Sequence, residues 1–157
     1  MKPEEHPGIR KACAEDMDCI LQIEQKAFPG PTAYSKRQLE YLVQNSRSTS
    51  LVESHKDVIR GFIIVTYRRG SLTGNIETVD VDPAFHGWGI GLKLLLAAED
   101  DMKQRGMQCS QLEVSEGNKP AIKLYMKAGY SIKEKLKEYY RHEHQGTRDA
   151  IRMIKNL

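Results

Sequence analysis

Apolar positions along the chain recur with two periods, and the places where the period changes predict the elements. Ile20, Ile23 and Ala27 fall at helical spacing within residues 16–27. Phe28-Pro29-Gly30-Pro31 ends that helix, because proline lacks an N–H and restricts the residue before it. Ser35 opens a second helix with Gln38 three residues on, as a capping box requires, and with Leu39, Leu42 and Val43 as its apolar face. Residues 51–54 and 58–67 then read as strands, the second rich in β-branched and aromatic residues. His55-Lys56-Asp57 joins them as a hairpin. Residues 70–75 read as a loop and 76–81 as a strand stopped by Asp82-Pro83. A helix over 88–105 buries Leu94, Leu95, Ala98 and Met102 and stops at Arg105-Gly106. Residues 107–114 read as a strand. Asn118 caps a helix that runs to Ala128, with Pro120 tolerated in its first turn. Residues 130–140 and 148–156 read as two closing strands. With a short strand at 8–13, the predicted order is β-α-α-β-β-β-α-β-α-β-β.

Strand, helix and strand between residues 76 and 114 imply a parallel pair joined by a crossover. The remaining strands can pair antiparallel. The expected fold class is therefore α/β, a mixed sheet flanked by helices. No repeat or low-complexity linker interrupts the pattern, so the 157 residues are expected to form one domain.

Composition removes several function classes. Hydrophobic residues make up 39% and charged residues 29%, the balance of a soluble protein. A net charge of +3 is too weak a bias to argue for a nucleic-acid partner. Cys13, Cys19 and Cys109 show no Cys-x-x-Cys spacing, and reduced thiols in a cytoplasmic protein are the simplest expectation. The first residues carry no apolar run of the secretory type, and the longest such run, 94–98, is far too short to span a bilayer, so no membrane partner is expected. His142 and His144 flank Glu143 without further ligands. They read as a solvated loop, and no metal is expected. Lys133, Lys135 and Lys137 alternate and are expected to share one solvated strand face.

The segment His86-Gly87-Trp88-Gly89-Ile90-Gly91 lies where a strand ends and a helix begins. Helix N-termini present unpaired N–H groups and a partial positive charge, which favour a phosphate or diphosphate. Glycine lets the backbone approach the anion closely. The dinucleotide pattern G-x-G-x-x-G fails, since Leu92 or Leu94 stands where its last glycine belongs, and the Walker ending is absent. Taken alone, the turn reads equally well as a simple strand-to-helix connection.

Its surroundings narrow the choice. Residues 79–95, through Val79-Asp80-Val81-Asp82-Pro83 and the glycine turn, resemble the coenzyme A-binding segment of the GNAT N-acetyltransferases, with His86 where arginine or glutamine usually stands. Residues 112–130, Leu112-Glu113-Val114 through Asn118, Ala121-Ile122, Leu124-Tyr125 and Gly129-Tyr130, resemble the family segment L-E-V-x-x-x-N-x-x-A-I-x-L-Y-x-x-x-G-F. Tyr139-Tyr140, Gly146 and residues 149–153 are similar to the closing strands of the RimI type, the bacterial ribosomal-protein alanine N-acetyltransferases. The resemblance implies a GNAT-like fold, a mostly antiparallel sheet whose one parallel strand pair splays to admit acetyl-CoA. It also implies acetyl transfer to a primary amine, either the N-terminal α-amine of a protein or peptide, or a small amine or lysine. A non-catalytic acyl-CoA sensor is the alternative outside enzymes. A monomer or a homodimer is compatible with it.

Residue roles follow from the same resemblance. Glu113, on the strand face opposite Leu112 and Val114, is the candidate base, acting directly or through water. Tyr125 is the candidate acid toward the departing thiolate, or else a core aromatic packed with Ile122. Val79, Asp80 and Val81 would meet the pantetheine arm, and the Val81 N–H could stabilise an oxyanion. Gly87, Trp88, Gly89, Ile90, Gly91 and Leu92 would hold the diphosphate. Asn118 would cap its helix, touch the cofactor, or both. Phe28, Pro29, Tyr139 and Tyr140 would line the acceptor side, with strand-end packing an equal reading for the two tyrosines.

Overall fold

The computed structural model describes residues 5–28 and 30–157. Its elements follow the predicted order: β1 (Ile9–Lys11), α1 (Met17–Ala27), α2 (Lys36–Gln44), β2 (Ser48–His55), β3 (Val58–Tyr67), β4 (Thr73–Val81), α3 (Ile90–Gln104), β5 (Cys109–Ser115), α4 (Lys119–Lys127), β6 (Ser131–Leu136) and β7 (Ala150–Asn156). The strands form a seven-stranded sheet in the order β1-β2-β3-β4-β5-β7-β6. All neighbours are antiparallel except β4 and β5. The expected α/β mixed sheet, mostly antiparallel with one parallel pair, is the observed one.

Helices cover both faces. Ile20, Ile23 and Leu39 of α1 and α2 pack on Val52, Phe62 and Ile64. Leu94, Leu95, Ala98 and Met102 of α3 pack on Ile63, Val65 and Leu112 across the sheet. Alternation along β2 and β3 feeds both layers, since neighbours on a strand point to opposite faces. Fully burying each of these large side chains is worth roughly 1.5–3 kcal/mol. Local signals act as read: the Ser35 Oγ accepts from the Gln38 N–H while Gln38 Oε1 accepts from the Ser35 N–H. Lys56 and Asp57 turn the β2–β3 hairpin with positive φ angles of 50° and 63°.

Several boundaries differ, and the differences matter for the site. Residues 73–75, expected in a loop, are the start of β4, and Thr73 to Ile76 make the whole ladder with Cys109 to Leu112 of β5. Gly74 is needed there because a Cβ would lie 2.7 Å from Met102 Sδ. Past Ile76 and Leu112 the two strands pair with β3 and β7 but not with each other, which is the splay. A bulge leaves Glu77 unpaired between Ile76 and Thr78. It shifts the alternation, so Ile76 packs with the α3 layer while Thr78 and Asp80, opposite Ile64 and Phe62, face α1. The helix expected from Trp88 starts at Ile90, and the strand expected to reach Tyr140 ends at Leu136. A register shift at Lys133 breaks the expected lysine face; Lys137 lies beyond the strand, and Lys135 pairs with Glu116 and Asp149.

Candidate active site

The splay sits between the glycine turn and a cleft of about 360 Å³. On the α3 side, no backbone N–H from Gly87 to Leu92 is engaged by the described residues, and Lys93 makes the first helical bond, to Gly89 O at 3.1 Å. Gly87 and Gly89 hold φ angles of 83° and 77°, and a Cβ on either would point into open space. A row of free donors at the N-terminus of a 15-residue helix suits a diphosphate. Gly91 differs from the other two: a Cβ there would meet Leu124 Cδ2 at 3.1 Å, so it admits α4 against α3. Its N–H still belongs to the open row. Trp88 is 66% exposed. Arg60, held by Glu53, lies 5.7 Å from the Trp88 ring and 5.6 Å from that of Phe85 and braces the turn from β3.

His86 has another task. Its Nε2–H donates to Val81 O at 2.9 Å, tying the turn back to the strand end. The Asp82 N–H donates to Arg60 O, so by alternation Asp80 also directs its backbone groups to β3, while those of Val79 and Val81 face the gap. Asp80, expected among the cofactor contacts, therefore turns both backbone and side chain away from the gap. Val79 and Val81 keep main-chain groups along it.

The cleft gathers residues distant in sequence. Phe28, Val79, Glu113, Asn118, Tyr125, Tyr139 and Tyr140 all line it. Pro29, expected on the same side, lies outside the described residues. Asn118 Oδ1 accepts from the Ala121 N–H at 3.4 Å, so it caps α4 from the cleft wall. Glu113 projects toward the acceptor side, and its Oε1 accepts from Arg152 Nε at 3.0 Å. Tyr125 is 8% exposed, edge-on to Tyr130 at 6.1 Å, and its hydroxyl has no partner among the described residues. Burial pushes that phenol up, helped by Asp80 and Tyr140, so it stays protonated at neutral pH. Tyr139 and Tyr140 pack edge to face at 5.0 Å in the turn after β6.

Other residues of the cleft escape sequence reasoning. Arg152 reaches Glu113 only through strand register. Tyr34 donates its hydroxyl to Glu77 at 3.2 Å, and both residues line the cleft. His144, expected in a solvated loop, instead stacks on Tyr140 with centroids 4.1 Å apart and approaches Phe28 at 6.0 Å. Burial and His142 push its pKa down. Glu24 is the one with a readable signal. It lies four residues after Ile20 and so falls on the apolar face of α1.

This geometry can be compared with known proteins. Residues 17–130 match the Acetyltransferase (GNAT) family. N-alpha-acetyltransferase 30 of Schizosaccharomyces pombe is 33% identical over 138 residues, 86% of this chain and 88% of that protein. The ribosomal protein bS18-alanine N-acetyltransferase of Haemophilus ducreyi is 31% identical over 132 residues, 84% of this chain and 88% of that protein. The crystal structure of the ribosomal-protein-S18-alanine N-acetyltransferase from Escherichia coli aligns with a TM-score of 0.84 at 25% identity, covering 95% of this chain and 92% of that one. A splayed parallel pair, an open helix N-terminus and a family match over most of the chain agree: the protein belongs to the GNAT acetyltransferases, which draw their acetyl group from acetyl-CoA.

Proposed function

We propose that the protein acetylates the N-terminal α-amine of a protein or peptide, as its RimI-type resemblance implies. One observation carries the reading: Glu113, Tyr125 and the Tyr139-Tyr140 turn, contributed by three separate elements, line one cleft beside the splay. Two similar proteins named above, an N-alpha-acetyltransferase and an alanine N-acetyltransferase, support the same acceptor.

Acetyl-CoA supplies the activated acyl group. The N–H groups from Gly87 to Leu92 bind its diphosphate, and Val79 and Val81 present main-chain groups to its pantetheine arm. The Val81 N–H stabilises negative charge on the acyl oxygen. Glu113 takes a proton from the attacking nitrogen through a water on its free oxygen, with Arg152 fixing the other. Tyr125 protonates the sulfur that leaves. Phe28, Tyr139 and Tyr140 hold the first residues of the acceptor. An α-amine has a pKa of about 8, so roughly a tenth is neutral at pH 7, against a few parts in ten thousand for a lysine near 10.4. One carboxylate base suffices for the first and strains for the second.

Thiol release from acetyl-CoA with short peptides, a polyamine and an aminoglycoside tests the proposal. Turnover of peptides blocked at lysine but free at the N-terminus is expected. Turnover of small amines alone overturns the peptide reading, and tight coenzyme A binding without turnover marks a sensor.

A further inference from the structure

Two carboxyl groups meet beside the acceptor cleft with no cation from the described residues between them. Glu24 of α1 is 1% exposed and Asp80 of β4 is 3% exposed. They lie close enough to hydrogen-bond each other, which requires a proton on one of them. Thr78 Oγ1 lies 3.1 Å from Asp80 Oδ1 and 3.4 Å from Glu24 Oε1, and its single hydrogen serves one of the two. The Tyr34 N–H reaches Glu24 Oε2 at 3.5 Å. Asp80 Oδ2 is buried and receives no N–H or O–H from the described residues, so a proton shared with Glu24 is what can satisfy it.

A pair held only for structure would be a costly choice, because two buried carboxyls without a cation are less stable than apolar side chains in the same space. Burial raises both groups above the ordinary carboxylate range, and Glu24 raises Asp80 further. Such a pair carries one negative charge and one proton where two isolated carboxylates would carry two charges. The described groups facing it add no cation. Tyr34 comes from the loop before α2, Glu77 from β4, Tyr125 from α4, and Tyr139 and His144 from the β6–β7 connection. Glu113 lies across the cleft with Arg152 already bound to it. Glu24 itself lines the cleft.

The substrates of the proposed reaction arrive as ammonium ions. We propose that Glu24 takes the proton a primary ammonium must lose before its nitrogen attacks, with Asp80 as the positioning residue that shares Glu24's proton and sets its basicity. This rests on reading the cleft as the acceptor site. The protons balance. The ammonium gives one proton to the pair and becomes a neutral amine. The C–N bond forms, the C–S bond breaks, and the sulfur takes the phenol proton of Tyr125. The second nitrogen proton passes to Glu113 and returns through water to Tyr125. The pair, now holding two protons, releases one to solvent, so each turnover yields amide, free thiol and one proton. Without the pair, only acceptor that is already neutral could react, roughly a tenth of an α-amine at pH 7.

The test compares the wild type with Glu24→Gln and Asp80→Leu on two acceptors: the amine that the wild type turns over best, and its aminooxy analogue, whose nitrogen is already neutral at pH 7. Glu24→Gln should lose up to about tenfold in kcat/KM on an α-amine at pH 7, the factor by which its neutral form is outnumbered, and little on the analogue. The KM for acetyl-CoA should not move. Asp80→Leu should shift the acid limb of the amine pH profile to higher pH, because Glu24 loses the hydrogen bond from Asp80 that holds it down against burial. The ratio of the two acceptors cancels the amount of folded enzyme, so partial misfolding does not obscure it. An unchanged ratio in Glu24→Gln, with both acceptors slowed equally or neither slowed, overturns the proposal. A wild type that uses small amines but no peptide overturns the peptide reading while leaving this one to be decided on those amines. A wild type that uses no amine overturns both.

Discussion

Arg152 stands directly opposite Glu113 on the neighbouring strand and donates from Nε to Glu113 Oε1 at 3.0 Å, while its Nη1 donates to Glu134 Oε1 at 2.6 Å. The candidate base is thus clamped on one oxygen and open on the other. Glu113→Gln should lower kcat/KM for the acceptor by about a hundredfold. Arg152→Gln keeps the carboxylate but frees its rotamers, and should cost less, about fivefold, through a misplaced base. Steady-state pH profiles of both variants check the order. Equal rates for Glu113→Gln and wild type across pH would remove Glu113 from the mechanism.

Tyr125 separates chemistry from packing. Its ring is buried but its hydroxyl has no partner among the described residues, so Tyr125→Phe deletes no hydrogen bond to them. Thermal melting should be unchanged or slightly raised. The kcat should fall by about ten- to a hundredfold with the acetyl-CoA KM unaltered. A fall in melting temperature without a fall in kcat would make Tyr125 a core residue.

Two glycines should report on opposite sides of the splay. Gly89 holds φ at 77° with open space above it, so Gly89→Ala strains the turn by roughly 1–2 kcal/mol. It should raise the acetyl-CoA KM severalfold and leave the acceptor KM alone. Gly117 lies beneath the connection that carries His144, and a Cβ there would come within 2.9 Å of Gln145 Cβ. Gly117→Ala should displace that connection and raise the acceptor KM instead. Calorimetric titration with coenzyme A tells the two apart.

Asp16 should govern acid stability. It accepts two hydrogen bonds from Arg10, at 2.7 and 2.9 Å, and one from the Cys13 N–H at 2.8 Å, which fixes the entry to α1. The Arg10 guanidinium holds its carboxyl well below the usual carboxylate range. A lowered folded pKa means stability that is present above the unfolded pKa of about 3.9 and lost as the pH falls below it. Asp16→Asn should therefore lower stability by about 1 kcal/mol at pH 7. The gap to wild type should narrow as melts are repeated toward pH 3.

The element order was legible because each helix and strand carries its own periodicity, and the caps at Ser35 and Asn118 sit where side chains close their own helix ends. The glycine turn was legible for the same local reason. Arg152 was not: its distance from Glu113 depends on strand register, which no spacing along one strand reveals. The start of β4 was missed because Gly74 and Asn75 look like loop residues, and only Met102 of α3, lying over Gly74, explains the glycine. His144 read as solvent-exposed because its partner Tyr140 meets it only when the connection folds back.

The chain by itself determined the order of its elements and the glycine turn at a helix start, since these rest on local periodicity, while its resemblance to the GNAT segments supplied the diphosphate reading and the acid–base candidates Glu113 and Tyr125. Only the tertiary structure decided which face each β4 side chain takes. Strict alternation would put Ile76, Thr78 and Asp80 on one face, but the bulge at Glu77 turns Thr78 and Asp80 toward α1. A strand's period is a property of its sequence, whereas a bulge depends on how the neighbouring strand pairs with it. That one unpaired residue brings Asp80 to Glu24, which lines the acceptor cleft.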